Sequence, residues 1–149
     1  MGRPHPGWFG ATILTLASLG LAACGGEAAT VEVQVQEWAV IPAEDVVPAG
    51  EMTFDVENTG PDHPHEFMVI RTDLAPDALP AAEDGSVDEE GEGIEVIGEI
   101  EEFAPGETRS STFDLEAGNY VLICNLVEGH EGEMMVHYSL GMRVPFTVE

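Results

Sequence analysis

Across 149 residues the chain carries 29 acidic side chains against four basic ones, for a formal net charge of −25. A field of that sign repels phosphate backbones and anionic head groups, which excludes nucleic-acid binding; it suits either a basic partner or solubility at high salt, and the two are compatible. The length is that of one domain once the N-terminus is set aside.

Arg3 gives a weakly positive start, and Phe9 to Ala23 is an uncharged, largely apolar run, too short for a comfortable membrane span but right for a signal h-region. It ends in Leu21-Ala22-Ala23-Cys24, which resembles the lipobox of bacterial lipoproteins. That resemblance implies that residues 1–23 are a lipoprotein signal peptide and that Cys24 becomes the lipid-bearing first residue. An ordinary cleavable signal with an incidental cysteine is the alternative. On the lipoprotein reading, 24–30 form a lipid-anchored tether and 31–149 one domain, exported and held at the outer face of the cytoplasmic membrane. Cys124 then has no disulfide partner, although the compartment favours one. An unpaired thiol there is a liability unless buried or metal-bound.

The mature chain opens with Val31-Glu-Val-Gln-Val-Gln-Glu-Trp38, whose period of two puts Val31, Val33 and Val35 on one face of a strand. Prolines and Gly50 turn the chain before Met52-Thr-Phe-Asp-Val-Glu-Asn58 alternates again. After the turn at Asn58-Thr-Gly-Pro61 and the segment Asp62-His63-Pro64-His65, Glu66 to Arg71 reads as a strand. An acidic insert at about 76–93 lacks the spacing of a calcium loop and reads as a solvated, mobile excursion. Ile94 to Ile100, Thr108 to Leu115, Tyr120 to Cys124 and Arg143 to Val148 complete a set of short strands with frequent turns. No convincing amphipathic helix interrupts them, so the expectation is an all-β, two-sheet antiparallel sandwich.

Near the end of the chain, a cysteine (Cys124), an imidazole and a thioether gather at one strand-to-strand connection. Thiolate, imidazole and thioether are ligands that copper favours. A second imidazole lies upstream, at His65 or its neighbour His63. Downstream, His137 with Met142 competes with His130 and Met134 or Met135. Each alone has a bland reading: a turn histidine, an exposed loop or a methionine filling the core.

Pro64-His65-Glu66-Phe67, Tyr120-Val-Leu-Ile-Cys124-Asn125 and His137-Tyr-Ser-Leu-Gly-Met142, followed by Phe146-Thr-Val148, resemble the three signatures of cupredoxins, the blue copper proteins, and particularly of bacterial plastocyanin/azurin-like lipoproteins. The resemblance implies a Greek-key β-sandwich with one type 1 copper held by His65, Cys124, His137 and, axially, Met142. Many family members place Asn after the first histidine and a hydroxyl residue after the cysteine. Here Glu66 and Asn125 stand there, and an Asn125 amide donating to the Glu66 carboxylate is the expected link between the two ligand loops. The chain departs from the family in the long segment between Cys124 and His137.

The resemblance implies electron transfer by Cu(II)/Cu(I) cycling rather than catalysis, since no side chain looks like a catalytic base or nucleophile in a pocket. Redox proteins that are basic, or that dock on apolar surface at the copper end, are the implied partners, with the membrane reached through lipid on Cys24. Copper storage or delivery through the same site, with His130, Met134 and Met135 as transfer ligands, is the alternative.

Overall fold

A computed structural model describes residues 1–2, 28–130 (His130 by its backbone) and 132–149. The expected signal peptide, apart from its first two residues, and Cys24 lie outside the described residues.

One sheet contains β1 (Ala29–Gln36), β2 (Ala39–Pro42), β4 (Gly50–Asn58) and β7 (Thr108–Leu115), in the order β2-β1-β4-β7. The other contains β3 (Val46–Val47), β5 (His65–Thr72), β6 (Ile94–Phe103), β8 (Gly118–Ile123) and β11 (Arg143–Val148), in the order β3-β11-β8-β5-β6. A separate hairpin, β9 (Val127–His130) with β10 (Glu133–Val136), and a single helical turn, α1 (His137–Leu140), occupy the segment between Cys124 and β11. The sandwich is mixed rather than wholly antiparallel, because β1 runs parallel to β4 and β11 runs parallel to β3. Chain alternation reports which face is buried but not the direction of the neighbouring strand, so the two parallel pairs leave no mark on it.

The alternating faces of β1 and β4 do what their pattern dictates: Val31, Val33, Val35, Met52, Phe54 and Val56 point into the space between the sheets. There Phe54 lies with its ring centroid 5.2 Å from Phe67, 5.7 Å from Phe146 and 6.2 Å from Phe113. The centre of β5 and the end of β8 instead read as unbroken apolar runs, and both are buried on two faces. What covers their outer face is the acidic insert. Leu79 and Val87 from it pack with Met68, Ile70, Val121, Ile123 and Tyr138 as a second apolar cluster.

The insert is therefore a packed layer, not the solvated excursion its charge implies. Its acidic side chains face water while two aliphatic ones and its backbone bind the sheet. The Tyr138 hydroxyl donates to the Pro76 carbonyl at 2.8 Å and accepts from the Leu79 N–H at 3.3 Å. Ser139 Oγ donates to the Gly85 carbonyl at 3.1 Å. Tyr138→Phe leaves a buried N–H and a carbonyl without their partner, and is expected to lower the unfolding free energy by about 1–3 kcal/mol. Urea titration of the two proteins measures this; equal midpoints would show that the insert is not held through Tyr138.

Candidate metal centre

Three elements deliver the site. His65 is the first residue of β5, Cys124 follows the last residue of β8, and His137 opens α1. The β5–β6 register shifts between His65 and Phe67, so the ladder is irregular where the histidine enters its strand. Asn58, fully buried at the end of β4, donates from its carboxamide to the carbonyls of His63 and Phe103, which fixes the approach to His65.

The side chains converge. His65 Nδ1 lies 3.2 Å from His137 Nδ1, and Cys124 Sγ lies 3.4 Å from His137 Nδ1 and 4.0 Å from His65 Nδ1. All three residues are 0% exposed, and their ligand atoms lie within 4.8 Å of one another. Met142 is also fully buried and packs in the same apolar cluster as Cys124. The Met142 N–H donates to the His137 carbonyl, and the Cys124 N–H donates to the Met142 carbonyl, each at 3.1 Å. Those two bonds tie the three C-terminal residues into one unit.

Burial governs the ionisation of these groups. It pushes the Cys124 thiol up to about 12, partly opposed by the N–H groups of Glu66 and Leu126. It also drives His65 down to about 4, helped by the neighbouring His137 imidazole. His137 is lowered too, since its burial outweighs the hydrogen bond to Glu128. At neutral pH the site thus holds two neutral imidazoles and a protonated thiol, and coordination of the sulfur by a metal ion would displace its proton. Among the described residues, the buried His65 Nε2 has no hydrogen-bond partner. Two imidazoles, a thiol and a thioether in an apolar, water-excluding shell fit a copper ion and suit neither magnesium nor calcium, which take oxygen ligands.

Around the donors, the Glu66 N–H donates to Cys124 Sγ at 3.4 Å. The Asn125 backbone N–H donates to Glu66 Oε1 at 2.7 Å. The amide that reaches Glu66 is thus the main-chain one. The Asn125 carboxamide instead grips the acidic insert, accepting from the Val87 N–H at 2.6 Å and donating to the Val87 carbonyl at 3.1 Å and to Glu89 Oε1 at 3.4 Å. Burial pushes the Glu66 carboxyl up to about 7 despite the Asn125 N–H, with Glu99 and Glu89 adding to the rise.

Of the two upstream histidines, His65 joins the cluster and His63 does not; His63 Nδ1 instead sits 2.5 Å from Glu128 Oε1. On β10, Met134 is 67% exposed and Met135 half-buried. The His130 side chain lies outside the described residues. Trp38 and Glu128 were not legible as site residues. Trp38 closes the β1–β2 turn with φ of 66° and sets its ring edge-on to His137 at 5.4 Å and tilted to His63 at 5.5 Å. A tryptophan held in the left-handed region is rare enough to mark a tertiary demand, but the sequence does not print φ.

No family model matches the chain. The iron uptake system component EfeO of Yersinia pestis is 26% identical over 135 residues, and the chain spans about 30% of that protein's length while 91% of the chain is covered. Among solved structures, auracyanin A, a "blue" copper protein from Chloroflexus aurantiacus, superposes with a TM-score of 0.55 at 24% identity, covering 83% of this chain and 100% of that one. Auracyanin from Roseiflexus castenholzii, reduced with dithionite, gives a TM-score of 0.55 at 21% identity over 83% of this chain and 99% of that one. The chain has the cupredoxin fold. In this sandwich the ligand atoms of His65, Cys124 and His137 cluster, with Met142 buried and bonded through its main chain to His137 and Cys124.

Proposed function

We propose that this protein is an exported, lipid-tethered carrier of single electrons that binds one copper ion through His65, Cys124, His137 and Met142. The observation that carries the reading is the convergence of two imidazole nitrogens and one cysteine sulfur, all 0% exposed. Copper bound there supplies a one-electron Cu(II)/Cu(I) couple.

The chain's own residues make such a couple usable. Sheet hydrogen bonds fix His65, the Met142–His137 and Cys124–Met142 bonds fix the C-terminal donors, and the Glu66 N–H fixes the sulfur. Donors held this firmly need not rearrange when the charge of a bound ion changes. The apolar shell keeps water from the sulfur. The lipid tether on Cys24 and a location at the outer face of the membrane belong to this proposal, as do redox partner proteins that are basic or that dock on apolar surface. The acidic composition supports a basic partner, because opposite charge speeds encounter.

One observation favours copper storage or delivery as a second reading: Met134 offers an exposed thioether on the hairpin that joins Cys124 to His137. The two readings differ in how tightly Cu(I) is kept. Copper-loaded protein is carried through repeated cycles of ascorbate reduction and ferricyanide oxidation with a strong Cu(I) chelator present. A carrier keeps its copper and regains the same visible spectrum after each cycle, whereas transfer of copper to the chelator during the reduced phase would establish delivery and contradict the carrier reading.

A further inference from the structure

The hairpin that separates Cys124 from His137 places a carboxylate against the outer side of the site. Glu128 lies in β9, paired with Met135 of β10, which immediately precedes Val136 and His137. Its Oε1 is 3.4 Å from His137 Nε2 and 2.5 Å from His63 Nδ1. His137 thus has its two ring nitrogens in different surroundings. Nδ1 faces Cys124 Sγ and His65 Nδ1, and Nε2 faces a carboxylate oxygen. A carboxylate accepts but does not donate, so it selects the ring form that carries its proton on Nε2 and leaves the Nδ1 lone pair directed at the donor cluster.

Glu128 is itself held. His63 grips the same oxygen; the His63 N–H donates to Glu37 Oε1 at 3.0 Å, and Asn58 donates to the His63 carbonyl at 3.0 Å. Trp38 lies against both imidazoles, edge-on to His137 and tilted to His63. The Glu128 side chain is 22% exposed, so its charge is only partly screened from His137, which is wholly buried. The long connection, which sequence reading treats as an exposed loop, in this way supplies an outer partner to a donor histidine.

The geometry points to Glu128 as a positioning residue that holds His137 with Nδ1 free for the metal and places a negative charge beside that ligand, lowering the reduction potential of the site. The contact with His137 concerns the protein itself; the effect on potential rests on the copper reading above. A negative charge next to the ligand set stabilises the higher oxidation state, so its removal shifts the potential upward. Gln at 128 retains an oxygen that can accept from Nε2–H but carries no charge, which separates charge from hydrogen bonding.

Two measurements test this on the purified protein. In metal-free wild-type protein, nitrogen-15 NMR of the His137 ring is expected to show protonation at Nε2, and Glu128→Ala is expected to return the ring to a mixture of the two neutral forms. In copper-loaded protein, Glu128→Gln is expected to keep the visible band and shift the reduction potential upward, while Glu51→Gln, an equal charge loss at the far end of β4, leaves the potential where it was. A wild-type ring protonated at Nδ1, a ring form unmoved by Glu128→Ala, or a potential unmoved by Glu128→Gln would overturn the assignment. If neither wild type nor Glu128→Gln develops a copper–thiolate band, the copper reading and the effect on potential fall together, and the metal-free spectrum still decides the contact.

Discussion

His137→Ala is expected to remove the copper–thiolate absorption and to weaken copper binding by more than about 100-fold, the upper end of what losing an outer partner of a metal ligand costs. His137 Nδ1 lies within 3.4 Å of His65 Nδ1 and of Cys124 Sγ, and the imidazole is 0% exposed. Alanine would leave Cys124 and His65 facing an apolar hole that neither can close, because both are anchored in sheet register or by main-chain bonds. His130→Ala is the companion variant, since His130 is the rival for the same role on sequence grounds. Retention of the absorption by His130→Ala and its loss in His137→Ala would settle the choice for His137; the opposite pair of results would move the site into the hairpin. Circular dichroism of the metal-free variants checks that the sandwich is intact in each.

Phe54→Ala is expected to cost about 3–5 kcal/mol of unfolding free energy, the range for removing a buried aromatic ring. A domain of this size has about 5–15 kcal/mol in total, so the variant is expected to be partly unfolded at modest urea concentrations. Phe54 is 0% exposed and its ring meets those of Phe67, Phe113 and Phe146, which come from strands of both sheets. Loss of that ring removes the contact that clamps the layers together, and Phe67 lies only two residues beyond His65. Urea unfolding followed by tryptophan fluorescence measures the effect; a loss below about 1 kcal/mol would mean that the core closes around the gap.

Much of this arrangement is written plainly in the chain. The period of two in Val31–Val35 and Met52–Val56 marks the inner faces of β1 and β4, and those side chains are buried as the pattern requires. The thiol, imidazole and thioether chemistry near the end of the chain stands out by residue type, while the choice of His65 over His63 and of His137 with Met142 over His130 comes from the resemblance to cupredoxins. Other features were hidden for identifiable reasons. β3 has two residues and β2 four, too short for alternation to register. α1 is one turn, ended at Gly141 with φ of 123°, and carries no periodic signal.

The insert misleads because its composition is dominated by acidic residues, while its attachment depends on Leu79, Val87 and a few main-chain groups. Continuous apolar runs in β5 and β8 were the available sign that something covers the outer face of that sheet. Glu128 was indistinguishable from the many other carboxylates of so acidic a chain. Only the β9–β10 pairing brings it to His137. Trp38 likewise needs the β1–β2 turn to reach the site, and its unusual φ belongs to the folded chain alone.

The most direct test is addition of Cu(II) to the purified metal-free protein with the visible spectrum recorded at each step. An intense visible copper–thiolate absorption that saturates at one copper per chain is expected, since a thiolate bound to copper is the soft donor of such a site. A colourless complex, or copper that binds without that band and is removed at once by a mild chelator, would contradict it.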